Sequence, residues 1–205
     1  MKKTILVLLV ALLLVPAGLF ADGFDFSIGA TAQYTNAFDV TATEGFDWES
    51  LKDPENYGFG ADMRLRILFA ELDIAALYSQ GEVGGQTLHS VTGLVTGGVS
   101  LDLIGLLRVG LGMGPRINAL FNENGDGVII SNGQVINEDT DFAEAFMNAP
   151  MTYRATADLK LGGVMVGLNY TVDTDGFTFE TMDTAKLAPN FSEGRIGVSA
   201  LLTLF

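Results

Sequence analysis

Residues 24–34 read FDFSIGATAQY and residues 57–69 read YGFGADMRLRILF. In the first stretch Phe24, Phe26, Ile28, Ala30, Ala32 and Tyr34 alternate with Asp25, Ser27, Gly29, Thr31 and Gln33. In the second, Tyr57, Phe59, Ala61, Met63, Leu65, Ile67 and Phe69 alternate with Gly58, Gly60, Asp62, Arg64, Arg66 and Leu68. Successive side chains of an extended chain point to opposite faces, so each stretch predicts a strand with one apolar and one polar face. The parity then flips: Leu72, Ile74, Ala76 and Tyr78 stand against Glu71, Asp73, Ala75, Leu77 and Ser79, which requires a tight turn near Ala70.

The same period recurs downstream. Val91, Val95, Val99 and Leu101 oppose Thr92, Leu94, Thr96, Gly98 and Ser100, and Leu107, Val109, Leu111, Met113 and Ile117 oppose Arg108, Gly110, Gly112, Gly114 and Arg116. Met151, Tyr153, Ala155, Ala157 and Leu159 oppose Thr152, Arg154, Thr156, Asp158 and Lys160, and Val164, Val166, Leu168, Tyr170 and Val172 oppose Met165, Gly167, Asn169 and Thr171. A last run sets Ile196, Val198, Ala200, Leu202 and Leu204 against Arg195, Gly197, Ser199 and Leu201, which makes eight strands.

A water-soluble sandwich also alternates, so the solvent is read from three further features. Short connections at Ala70, 103–106 and 162–163 alternate with long ones at 35–56, 80–87, 122–150 and 174–190, as in barrels with short turns at one end and long loops at the other. Tyr34, Tyr57, Tyr78, Tyr153 and Tyr170 fall on the apolar face at the long-loop end, and Phe24, Phe26 and Phe69 at the short-turn end, the two girdles of a lipid-facing band. All strand charges share the polar face: Arg64, Arg66, Arg108, Arg116, Arg154, Lys160 and Arg195 against Asp25, Asp62, Glu71, Asp73, Asp102, Asp158 and Glu193, with Asp173 at the rim. In a soluble sandwich the charged face would look outward. Here it faces the lumen of an all-β, eight-stranded, antiparallel up-and-down transmembrane barrel.

The composition agrees. The chain has 205 residues, a formal charge of -14, 48% hydrophobic residues and no cysteine, with a mean hydropathy of +0.34. Disorder, a disulfide framework and nucleic-acid binding are disfavoured. Lys2 and Lys3, an apolar run from Ile5 to Val15 and a small-residue exit at Ala21 read as a cleaved signal peptide over 1–21, leaving a barrel over 22–205. Removal of two lysines leaves 9 bases against 25 acids, a charge of -16. Most of that excess lies in the long loops, which carry 16 acids and 2 bases.

In architecture the chain resembles the small eight-stranded outer-membrane barrels of the OmpA, OmpX and OmpW kind. The resemblance implies a bacterial outer-membrane location with extracellular loops, outer-membrane lipid as a neighbour, and recognition of a terminal Phe205 by the barrel-insertion machinery. It also keeps open a hydrophobic ligand in a lumen that contains Leu68, Leu77, Leu94 and Met165.

A lumen this narrow is filled by side chains, and its charges are expected to pair into a plug. Asn122, Asn124, Asp126 and Gly127 have the opening spacing of a calcium loop, but Gly133 stands where a bidentate acid is needed, so the site is weak at most. Asn132-Gly133, a type I′ turn signature, instead predicts a short hairpin of 128–131 and 134–137. Phe46, Trp48, Phe142, Phe146, Phe177 and Phe179 are read as packing the loops into a cap or, alternatively, as part of a contact surface for a host molecule or lipid. His89, the single histidine, faces outward with Val91 two residues on, where a lipid-modifying pair would need serine. The sequence therefore points to a non-enzymatic barrel without a cofactor that stabilises the membrane or binds a host or surface ligand through its loops. The alternative is a narrow porin for small polar or hydrophobic solutes. The mature protein is expected to begin at Asp22, which intact-mass measurement of membrane-extracted protein checks.

Overall fold

The computed structural model describes residues 23–38, 49–83, 86–122, 127–131, 134–136 and 142–204. Its elements are β1 (Phe24–Tyr34), β2 (Tyr57–Ile67), β3 (Ala70–Val83), β4 (Gln86–Leu103), β5 (Leu107–Asn122), β6 (Gly127–Ser131), β7 (Gln134–Ile136), helix α1 (Phe142–Asn148), β8 (Met151–Leu161), β9 (Val164–Asp173) and β10 (Arg195–Thr203). Neighbours pair antiparallel in the order β4-β3-β2-β1-β10-β9-β8-β5, and β4 pairs with β5 to complete the ring. Eight strands thus form a closed barrel. The β6–β7 hairpin hangs from the end of β5 and does not enter the ring, because its arms of 5 and 3 residues are too short to span it.

Residue period and barrel wall match strand by strand. Phe59, Val99, Leu111, Leu168, Val198 and Leu202 are each at least half exposed, while Ser27, Asp62, Arg64, Ser100, Thr152 and Asp158 inside are at or below 1%. A protein with an apolar exterior and an ionic interior is built for lipid. The eleven residues of β1 reach about 33 Å, or about 25 Å along the membrane normal at the usual strand tilt. Closure leaves no barrel strand with an unpaired edge, which the hydrocarbon would not tolerate.

The short turns lie at 68–69, 104–106 and 162–163. Leu68 takes φ 60 in the first of these and is 64% exposed, so it is not part of the lumen, contrary to the alternation reading. The turn itself consumes the position that would have pointed inward. The long connection expected at 80–87 is also corrected: β3 and β4 stay paired to Val83↔Gln86. With 18 residues in β4 against 11 in β1, this hairpin projects past the band and, with β5, walls one side of the mouth. The β4–β5 ladder skips Val95 and Thr96 opposite Pro115 and Gly114, and Pro115 has no N–H to contribute.

Tyrosines tie the long loops to the wall. Tyr34 donates to Ser50 Oγ at 2.7 Å, Tyr57 to the Leu51 carbonyl at 2.9 Å and Tyr153 to the Leu187 carbonyl at 3.0 Å. Tyr170 reaches the Phe38 carbonyl at 3.4 Å. Tyr34 is only 3% exposed and meets Tyr57 edge-on at 5.7 Å, so it is a covered loop anchor and not a lipid-facing girdle residue. Parity sends it to the outer wall, but the loop ending at Asn56 folds back over it. Tyr57, Tyr153 and Tyr170 are half-buried, whereas Tyr78 and Phe69 are exposed, and Phe24 and Phe26 are intermediate. Met151, read as outward, is likewise buried where its N–H donates to the Phe177 carbonyl.

The loop cap takes shape around α1. Phe146 stacks on Phe179 at 5.8 Å, Phe177, Ala145 and Ala149 are buried, and Glu180 N–H donates to the Met147 carbonyl at 3.1 Å. Phe46, Trp48, the Asn132-Gly133 turn and Phe205 lie outside the described residues. The barrel is coiled tightly enough that a Cβ at Gly60 would meet the Ala76 carbonyl, and one at Gly98 the Leu111 carbonyl. Gly60→Val and Gly98→Val should each cost about 1–3 kcal/mol, read as a lower urea midpoint of the heat-modifiable band on gels.

Candidate functional site

The inward faces of the strands converge in three charged layers. In the middle layer, Arg64 from β2 donates to Asp158 at 2.6 Å and to Asp62 at 3.1 Å, and its Nε lies 3.5 Å from Asp73, directly opposite it across the β2–β3 pair. Arg154 from β8 reaches Asp62 at 2.8 Å and Asp73 at 3.0 Å. Ser199 donates to Asp62 at 2.8 Å and in turn accepts from Asn169 at 3.1 Å. Three of the eight barrel strands, β2, β3 and β8, thus supply charges to one cluster that water does not reach, and β10 adds the Ser199 hydroxyl.

Toward the short-turn end, Asp102 accepts from Arg66, Arg108 and Lys160 at 2.8, 2.8 and 3.1 Å. Arg108 also reaches Asp25 at 2.7 Å. Toward the long-loop end, Arg116 and Arg195 each lie 3.1 Å from the same oxygen of Asp173, which also accepts from Thr152.

Two sequence expectations about these charges change. Glu71 sits opposite Arg66 in register, yet Arg66 turns to Asp102. Asp102 instead collects three bases, Arg66, Arg108 and Lys160. Glu71 therefore has no ion-pair partner among the described residues and lies buried beside Ser100 and Thr156, whose hydroxyls are also unbonded. The cavity of about 10 Å³ there, bordered by Gly98, Gly110 and Gly112, has room for about one water. Glu193 is not on an inward face at all. It belongs to an exposed turn, Phe191–Glu193, that ends just before β10.

Asn122, the first of the residues with calcium-loop spacing, is the last residue of β5 and pairs with Leu88. Asn124 and Asp126 lie outside the described residues. His89 is stacked on Tyr78 at 6.0 Å, and its Nδ1 shares a hydrogen bond of 2.7 Å with the Tyr78 hydroxyl. The apolar part of the interior is packed: Leu94, Met165 and Leu201 are buried. Leu201 belongs to this set by parity alone.

The fold is that of the small eight-stranded membrane barrels. No protein family matches the chain, and no curated protein matches it. Among solved structures, Neisserial surface protein A is similar, at 12% identity over 89% of this chain and 97% of that one, with a TM-score of 0.43.

The interior layers hold the barrel in one register. Arg64 is 1% exposed among three carboxylates, and taking it away would strand them without a counter-charge. Arg64→Met should lower stability by about 3–5 kcal/mol in urea titrations, whereas Lys52→Met, which loses only the exposed pair with Glu49, should change it by less than about 1 kcal/mol.

Proposed function

We propose that the protein is a non-enzymatic outer-membrane barrel with a sealed lumen, whose acidic loops face the cell exterior and carry its interactions. The observation behind this reading is the middle layer. Arg64, Arg154, Asp62 and Asp158 are at most 2% exposed, and their mutual bonds cross the barrel from β2 to β8. A solute path would have to break those bonds and leave charges unpaired in a low-dielectric wall.

The outer end supports the second half of the reading. The loop acids give that surface a strongly negative field, suited to a basic surface of a host or neighbouring macromolecule and weakened by salt. The Tyr34, Tyr57, Tyr153 and Tyr170 anchors hold the loops in place, which lowers the ordering cost of a contact. Outer-membrane lipid surrounds the apolar band, and the barrel-insertion machinery places it there.

Two measurements test this. Refolded protein in planar bilayers should show no discrete conductance, and openings that vanish when Arg64 or Arg108 is neutralised would overturn the sealed-lumen reading. Capture of basic surface proteins by the full chain in detergent should weaken as salt rises and when Glu49, Asp53 and Glu55 are replaced by their amides; capture insensitive to both changes would overturn the loop role.

A further inference from the structure

Above the Asp173 layer the lumen widens into a cup of about 250 Å³, open at the long-loop end. Its wall includes Arg116, Arg195, Asn118, Gln33 and Ser79, with Leu77 as an apolar contact. These groups keep hydrogen-bonding capacity to spare. Arg116 and Arg195 each spend one N–H on Asp173, and the rest of each five-donor guanidinium has no acceptor among the described residues. Asn118 Oδ1 accepts from Ser90 at 2.6 Å and Thr92 at 3.2 Å, an arrangement that turns its NH₂ away from both hydroxyls and leaves it unspent. Gln33 donates its amide to Thr171 at 3.0 Å and keeps Oε1 as an acceptor.

The cup is therefore rich in donors, with the Gln33 amide oxygen as an acceptor, the Ser79 hydroxyl free and Leu77 as an apolar surface. Asp173 cancels one of the two positive charges, so the pair retains one. Glu193 acts on Arg116 from the water-exposed rim without coming within ion-pair distance, and the acidic loops add to its field. Both penalise a multiply charged anion more than a singly charged one. We propose that the cup binds a small hydroxylated monocarboxylate, of the sugar-acid or hydroxy-acid class. Its carboxylate lies on the free donors of Arg116, Arg195 and Asn118, its hydroxyls meet Gln33 and Ser79, and its C–H face lies on Leu77. The buried Arg64 layer beneath makes the cup a receptor with a floor, but the inference does not rest on the sealed lumen, since binding and conductance are read separately.

The test uses the full chain folded in detergent, with glucuronate, glucose and inorganic phosphate as probes in ligand-observed NMR titrations. Glucuronate should bind saturably and about tenfold or more tighter than glucose, the difference expected for charge-assisted hydrogen bonds. Asn118→Leu and Arg195→Gln should each weaken glucuronate about tenfold with heat-modifiable migration retained. Ser79→Phe, which fills the cup without touching the Asp173 ion pairs, should abolish binding and serves if Arg195→Gln does not fold. Equal binding of glucose and glucuronate, tighter binding of phosphate, no saturable binding, or glucuronate affinity unchanged in Asn118→Leu or Ser79→Phe would each overturn the proposal.

Discussion

A backbone N–H facing hydrocarbon has no water to bond, and the architecture of the barrel follows from this. It forces the strands to find partners on both sides, and only a ring provides them for every strand. Once β1 meets β10 and β4 meets β5, the two faces of the sheet become separate solvents. The outer one must be apolar over its whole height. The charges the strands carry are then driven into a narrow lumen, and most of their partners come from other strands.

That second requirement gives the interior its order. A charge can be matched across one strand pair, as Arg64 is with Asp73, or across the lumen, as Arg64 is with Asp158 and Arg108 with Asp25. The bonds across the lumen lock distant strands into one register. The glycines that open space for long side chains also let neighbouring strands approach closely, so the barrel is tight where its charges are large. Glu71 shows the limit of the arrangement: its register partner Arg66 bonds Asp102 instead, and a small polar cavity remains beside it.

The long-loop end follows a different rule. There the wall leaves the apolar band, and side chains of outward parity need no longer meet lipid. Tyrosine suits this boundary because its ring packs against the wall while its hydroxyl reaches a loop backbone. Loop anchoring and the aromatic girdle are thus one set of residues doing two jobs, with Tyr34 fully given over to the first and Tyr78 kept at the surface beside His89.

Period two alone was enough to locate the strands, the faces and the inward set of charges, because side-chain direction in a strand follows from position and nothing else. It also located the β6–β7 hairpin, through its turn residues. Parity failed at the ends of strands. Leu68 is taken into a turn, Glu193 stops short of β10, Tyr34 is covered by a loop, and β3 and β4 run on through a segment without clean alternation. Which acid meets which base was not legible either. Pairing across a lumen depends on ring closure, strand stagger and competition among several partners, none of which is a property of neighbouring residues. Because alternation is local, the residues alone make this chain a barrel with its charges inside. That Arg64 closes the middle, that Glu71 has no ion-pair partner among the described residues and that Arg116, Arg195 and Asn118 leave donors facing an open cup follows from having all eight strands in place at once.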